Sequence, residues 1–341
     1  MHNYKTVGVE QNIFTIEVRL TSKCNYNCYY CTDLHYNKVP FVVHNVKHIC
    51  ELINAAYKHF NKPIYLYIYG GEPTIYPHLF EYIDGLFEGV NKNVKFTFDI
   101  QSNLSLKNDW WEKFCKRYAK NNNIIKVCGS YHNTQTNIYT FIKKALTLKK
   151  YNMLNMISFM YNRKNNVMAD FKLATKMLGA DHCEVCPLID SKVSQPLESD
   201  IAEVSYIEKN ENINELKKHS FFFDDTIPVD GEKRSRFSFW LSNDNTFTGY
   251  RCNAPLDRIV VDWDGSSFFC ESHLFSDTPP VFNINNDNNY TEYFSNLKPT
   301  ICKFKKCFFN IESKKINIGN KVSKLSKLSK ENSTERKVCQ I

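Results

Sequence analysis

Between residues 13 and 188 the chain switches repeatedly between two spacings of its apolar side chains. Short runs rich in β-branched and aromatic residues, at 13–20, 63–69, 94–101, 124–131, 153–160 and 181–188, read as strands. The stretches between them carry the helical period. Val46, Ile49, Ile53, Ala56, Tyr57 and Phe60 share one face of a helix predicted over 44–60, and Ile138, Phe141, Ile142, Ala145 and Leu148 do the same further on. Strands alternating with amphipathic helices predict a parallel sheet covered by helices. Six such units make an α/β fold, a partial (β/α)6 TIM-type barrel, whose loops after the strand C-terminal ends would build the active site.

The barrel pattern covers residues 1–190. Residues 191–235 are polar and mixed and read as a connecting region. A smaller unit follows at 236–310, where 258–263 and 266–269 read as two strands meeting at Asp264-Gly265, a hairpin turn signal. Residues 311–341 contain the repeat Ser323-Lys324-Leu325-Ser326-Lys327-Leu328-Ser329-Lys330 and no aromatic residue, and read as a flexible basic tail.

With 341 residues, 43% of them hydrophobic and 14% aromatic, the chain can bury one large core and a smaller one. No apolar run approaches the roughly 18 to 20 residues of a membrane span, and the polar start lacks the apolar stretch of a signal peptide, so a cytoplasmic location and no membrane partner are expected. The net charge of +8 would suggest nucleic acid if it were spread evenly. From Ser313 onward, however, eight Lys or Arg face two Glu, which accounts for +6 of it. Nucleic acid is therefore not an expected partner of the body. Thirteen cysteines in a chain without an export signal point to thiolates used as metal ligands.

Their spacing carries the chemistry. Cys24, Cys28 and Cys31 form C-x3-C-x2-C after the first strand. Three thiolates can hold a cubane cluster and leave one iron open, whereas a structural zinc site closes with four ligands. His35 would supply that fourth ligand in the competing zinc reading. Gly70-Gly71-Glu72-Pro73 ends the second strand, where the glycines allow close approach to the backbone and Glu72 can accept hydrogen bonds from an ammonium group. The cysteine loop and this motif together resemble the radical S-adenosylmethionine (SAM) superfamily over residues 13–188. The resemblance implies a 4Fe-4S cluster on Cys24, Cys28 and Cys31 whose open iron binds the amino and carboxylate groups of SAM. Gly71 and Glu72 would stand at the methionine amino group, Tyr30 beside the adenine, and Ser130 against the ribose or carboxylate. Reductive cleavage would then give a 5′-deoxyadenosyl radical that abstracts a substrate hydrogen, with an electron donor such as flavodoxin or ferredoxin. Relatives often carry an Arg a dozen residues after the fourth strand, where this chain has Phe141-Ile142-Lys143-Lys144.

A second set follows as C-x12-G-x4-C (Cys252, Gly265, Cys270) and C-x4-C (Cys302, Cys307). The hairpin at Asp264-Gly265 would return Cys270 toward Cys252. The first element resembles the opening of SPASM and Twitch auxiliary-cluster domains, and four cysteines match the single-cluster Twitch form, implying a second 4Fe-4S cluster; a zinc ribbon on the same four is the alternative. The substrate expected is a peptide, or else a sugar or nucleotide. Cys50, Cys115 and Cys128 read as core residues. Cys183 and Cys186 fall on opposite faces of a strand and so do not chelate together. Phe221-Phe222-Phe223 reads as buried wall.

Overall fold

The computed structural model describes residues 5–31, 41–42, 45–161, 167–187, 189–190, 195–196, 226–235, 246–276, 278–286, 289–304, 307 and 313–318. A short strand, β1 (Thr6–Val7), precedes the barrel. The barrel then runs β2 (Phe14–Thr21), α1 (Val46–Phe60), β3 (Ile64–Gly70), α2 (Leu79–Gly89), β4 (Phe96–Ser102), α3 (Asn108–Tyr118), β5 (Ile125–Tyr131), α4 (Ile138–Lys150), β6 (Leu154–Tyr161), α5 (Met168–Leu178) and β7 (Cys183–Pro187). Strands β2 to β7 pair in chain order, all parallel. The predicted six-unit partial barrel is present.

Alternation along the strands decides which residues do what. In β2, Phe14, Ile16, Val18 and Leu20 point to the helices and are fully buried, as are Ile64, Leu66 and Ile68 of β3. Their neighbours Glu17, Arg19, Tyr65, Tyr67 and Tyr69 point to the inner face. The helices cover the apolar face. In α1, Asn45 caps the N-terminus by accepting from the Lys47 amide, and Ile49, Leu52, Ile53 and Ala56 are buried. Phe14 stacks on Phe60 at 4.5 Å and meets Phe294 edge-on at 5.8 Å, joining sheet, first helix and the C-terminal region in one cluster. Cys50 and Cys115 are buried in this core, as expected.

After β7 come β8 (Ile189–Asp190), β9 (Gln195–Pro196), β10 (Thr226–Val229), β11 (Glu232–Ser235) and β12 (Tyr250–Cys252). Next are α6 (Ala254–Asp257), β13 (Arg258–Val261), β14 (Ser266–Phe268), α7 (Glu271–Leu274), β15 (Phe282–Asn283), α8 (Tyr290–Ser295), β16 (Thr300–Ile301) and β17 (Lys315–Asn317). The β13–β14 hairpin forms as expected, with Gly265 at φ +86 in its turn. It does not belong to a separate sheet. β13 pairs in parallel with β2, so the barrel sheet grows to nine strands in the order β15-β14-β13-β2-β3-β4-β5-β6-β7. A second, six-stranded sheet has the order β11-β10-β1-β17-β12-β16. It gathers residues from both ends of the chain, and the connections cross the boundary expected at residue 236.

The stretch expected to be a flexible tail from residue 311 contains β17, which pairs with β1 and β12, and Lys315 is completely buried there. Residues 319–341 lie outside the described residues, as do His35, Phe221-Phe222-Phe223 and most of the expected connecting region. Among the described residues no helix is long and apolar enough to cross a membrane.

Removing the Phe14 ring empties a fully buried site shared by three elements. Phe14→Ala is expected to cost about 3 to 5 kcal/mol, read as a lower urea midpoint with an unchanged slope.

Candidate active site

The cysteine loop leaves the C-terminal end of β2 and is held there by the end of β3. The Gly71 amide donates to the Thr21 carbonyl at 2.7 Å and the Glu72 amide to the Lys23 carbonyl at 2.8 Å. A Cβ at Gly71 would lie 2.1 Å from the Lys23 carbonyl oxygen, and one at Gly70 2.3 Å from that of Thr21. Gly70 also sits at φ +126, which side chains rarely adopt. The close approach that these glycines permit is therefore made first by the protein's own backbone.

Glu72 is buried, and protein donors surround its carboxylate. Oε1 accepts from the Thr74 amide at 3.0 Å, the Thr74 hydroxyl at 2.5 Å and the Ser102 hydroxyl at 2.8 Å, and Oε2 accepts from the Asn103 amide at 2.6 Å. Burial raises its pKa and these hydrogen bonds oppose the rise. Glu72 thus ties the end of β3 to the end of β4. From there Asn103 Nδ2 reaches Asn25 Oδ1 at 3.1 Å and the Cys24 sulfur at 3.7 Å, and Asn25 Nδ2 donates to Ser105 Oγ at 2.7 Å. Lys144 is buried and donates to the Leu104 carbonyl at 2.6 Å, fixing the same loop from behind.

Cys24, Cys28 and Cys31 act on one another electrostatically. Burial, with a smaller contribution from Glu72 and the other two thiols, pushes Cys24 up to about 12, and Cys28 is pushed up to about 11. Thiolates in this place need positive charge nearby, which an iron–sulfur cluster or a metal ion supplies. The Tyr26 amide donates to the Cys24 sulfur at 3.4 Å, as does Asn103, and such donors favour a ligated sulfur. Among the described residues no group of three or more His, Cys, Asp or Glu stands arranged to hold a metal ion, in the first thiol set or the second. Three thiols in one loop suffice for a cubane cluster with one iron left open, whereas a structural zinc takes four ligands. The donor set fits a cluster.

Tyr30 stacks on His132, with centroids 5.9 Å apart, and its hydroxyl meets His132 Nδ1 at 2.9 Å; Tyr26 meets the same ring edge-on. His132 extends from the end of β5, so the fourth strand of the barrel also reaches the loop. Ser130 lies on the inner face of β5, where it accepts from Gln101, which in turn accepts from the Tyr67 hydroxyl at 2.5 Å. Much of the inner wall is polar. Asp99 accepts from Tyr65 at 3.0 Å, Asn155 at 2.5 Å and the Cys128 thiol at 3.4 Å, and Ser158 donates to Glu184. Cys128, expected in the apolar core, is therefore a correction. Strand alternation turns Val127 and Tyr131 to the helices and Cys128 inward. Cys183 and Cys186 do face opposite ways, since Cys183 is buried beside α5 and Cys186 pairs in register with inward-facing Met160.

The second set converges as well. Cys252, Cys270, Cys302 and Cys307 are all buried, and they form a small packed cluster with Val7, Ile227, Val229, Phe247, Tyr250 and Ala254. Burial pushes the Cys270 thiol well up, and each of the other three adds to the rise. Sequence reasoning missed the residue after Cys270. Glu271 is buried against Glu17, Arg258, Arg19 and Tyr69, so its side chain belongs to the inner wall of the barrel. The same wall holds the ion pairs Glu17–Arg258 at 2.6 Å and Arg19–Asp262 at 2.5 Å. The segment that follows Cys270 therefore packs against the inner face of the barrel sheet.

No family model matches the chain, and no curated protein sequence does. Its fold matches solved structures. Native anSMEcpe with bound AdoMet and Cp18Cys peptide aligns with 83% of this chain and 82% of its own at 15% identity and a TM-score of 0.55. Native anSMEcpe with bound AdoMet alone aligns over 83% of each chain at 17% identity and 0.55. Streptococcus suis SuiB bound to S-adenosylmethionine aligns over 83% of this chain and 66% of its own at 14% identity and 0.56. At these identities the likeness is one of fold.

Gly71→Ala must force the cysteine loop off the end of β3. In metal-free protein it is expected to speed alkylation of Cys24 and Cys28 at least about tenfold, the effect of about 1.4 kcal/mol of easier opening, while an unchanged rate would show that the glycine clamp does not hold the loop. His132 makes a second prediction. Burial lowers its pKa from 6.5 to about 4, so the folded state takes up its proton less readily than the unfolded chain. The stability this contributes is complete above pH 6.5 and is lost as the pH falls from 6.5 toward 4. In metal-free protein, His132→Asn should flatten the acid side of the stability profile by at most about 3 kcal/mol, measured by urea unfolding across that window.

Proposed function

We propose that the chain is a radical SAM enzyme that modifies a peptide. Cys24, Cys28 and Cys31 hold a 4Fe-4S cluster with one iron left open for SAM, and Cys252, Cys270, Cys302 and Cys307 hold an auxiliary cluster. When bound, the cluster and SAM supply the 5′-deoxyadenosyl radical that takes a hydrogen atom from the substrate. The observation that carries this reading is the placement of three thiols in one loop, clamped by Gly70 and Gly71 at the C-terminal ends of parallel strands. The fold it shares with AdoMet-bound proteins supports it further.

The chain's own residues bind, orient and shield. Tyr30, backed by His132, offers an aromatic face to adenine. Gly71 and Glu72 stand at the methionine amino group, where Oε2 of Glu72 takes one protein donor. Ser130, fixed by Gln101 and Tyr67, meets the ribose or carboxylate. The polar wall from Asp99 to Glu184 offers hydrogen bonds to substrate, and Glu271 marks where the auxiliary site meets that wall. A peptide is favoured because anSMEcpe, which shares the fold, binds a peptide together with AdoMet. A flavodoxin or ferredoxin would supply the electron.

Anaerobically purified protein is expected to contain about eight irons per chain and little zinc. With reductant and SAM it should release 5′-deoxyadenosine, and Cys28→Ala should abolish that product. Stoichiometric zinc, or undiminished product from Cys28→Ala, would contradict the assignment.

A further inference from the structure

The second thiol set has a buried ammonium beside it. Lys315 of β17 lies directly opposite Cys252 of β12 in antiparallel register, which sends both side chains to the same face of the sheet. The lysine is completely buried. Its Nζ donates to the Ser313 carbonyl at 2.8 Å and lies 5.1 Å from the centre of the Phe247 ring, which packs in one cluster with all four cysteines.

We propose that Lys315 is a positioning charge for the auxiliary cluster, offsetting the negative charge of the four thiolates and holding the cluster's reduction potential up. The argument rests on the iron–sulfur reading given above. Four thiolates leave a cubane with net negative charge, and accepting an electron adds to it. A fixed positive charge nearby favours the reduced form, strongly so where water is excluded. An ammonium and thiolates buried on one face of a sheet lower each other's desolvation cost. The resulting role is electronic.

The test is a redox titration of the two-cluster enzyme followed by electron paramagnetic resonance, in which the auxiliary signal is the one that SAM does not alter. Lys315→Gln keeps a donor for the Ser313 carbonyl and removes the charge. It should make reduction of the auxiliary cluster at least about tenfold less favourable, a shift of about 59 mV to more negative potential, while Lys315→Arg restores the wild-type value. If Gln and Met variants fail to load the auxiliary cluster while the Arg variant loads it, the same charge requirement has been read at assembly, and the proposal is supported. An unchanged potential in Lys315→Gln, or an Arg variant no better than Gln, overturns the proposal and leaves the two-cluster reading standing. Zinc in place of iron at this site overturns both.

Discussion

Two carbonyl groups decide where the chemistry can happen. The oxygens of Thr21 and Lys23 occupy the space in which side chains at residues 70 and 71 would begin, and the amides of Gly71 and Glu72 bind them. The first two loops of the barrel are thereby joined backbone to backbone with no side chain between them. Any larger residue would separate them, and the three thiols would no longer sit over the barrel mouth. Glu72 extends the constraint to the end of β4, because its buried carboxylate has to gather donors from Thr74, Ser102 and Asn103. Asn103 then returns to Cys24. The cysteine loop is thus held by a closed circuit of hydrogen bonds that begins and ends on itself.

The same alternation that builds the core builds the inner face. The barrel strands turn most of their apolar residues to the helices and most of their polar ones to the inner face, so that face is largely polar by the strands alone. β13 adds to the barrel sheet beside β2, and this brings Arg258, Asp262 and Glu271 to Glu17 and Arg19. Buried pairs of this kind add little net stability, but breaking one would leave an uncompensated charge in the wall. Their structural consequence is registration. They fix the segment that carries Cys270 against the strand that precedes Cys24, and so couple the two thiol sets through a single sheet.

Much of this was legible in the sequence. The six barrel strands fall within a residue or two of the positions predicted from apolar alternation, and the loop cysteines, the Gly-Gly-Glu-Pro turn and the Asp264-Gly265 hairpin carry local signals. What was hidden depends on partners distant in sequence. β1 and β17 contain two and three residues, too few to show a period, and they pair across about three hundred positions. Lys315 sits among basic residues whose composition resembles a solvated tail, and nothing local distinguishes a buried lysine from its exposed neighbours. The glycines announced a close approach without saying what approaches. Cys128 could have been assigned inward from the alternation of Val127 and Tyr131, but a cysteine among apolar residues reads equally well as packing.

The proposed function requires that a cluster on Cys24, Cys28 and Cys31 keep one iron that no side chain ligates. Electron–nuclear double resonance on the reduced enzyme, with SAM labelled isotopically at its amino nitrogen and carboxylate oxygen, tests this most directly. The account predicts hyperfine coupling from both labelled atoms to the cluster, present in the wild type and lost when Cys24, Cys28 and Cys31 are replaced. Absence of that coupling in a fully loaded cluster, with a histidine nitrogen coupled in its place, would contradict it.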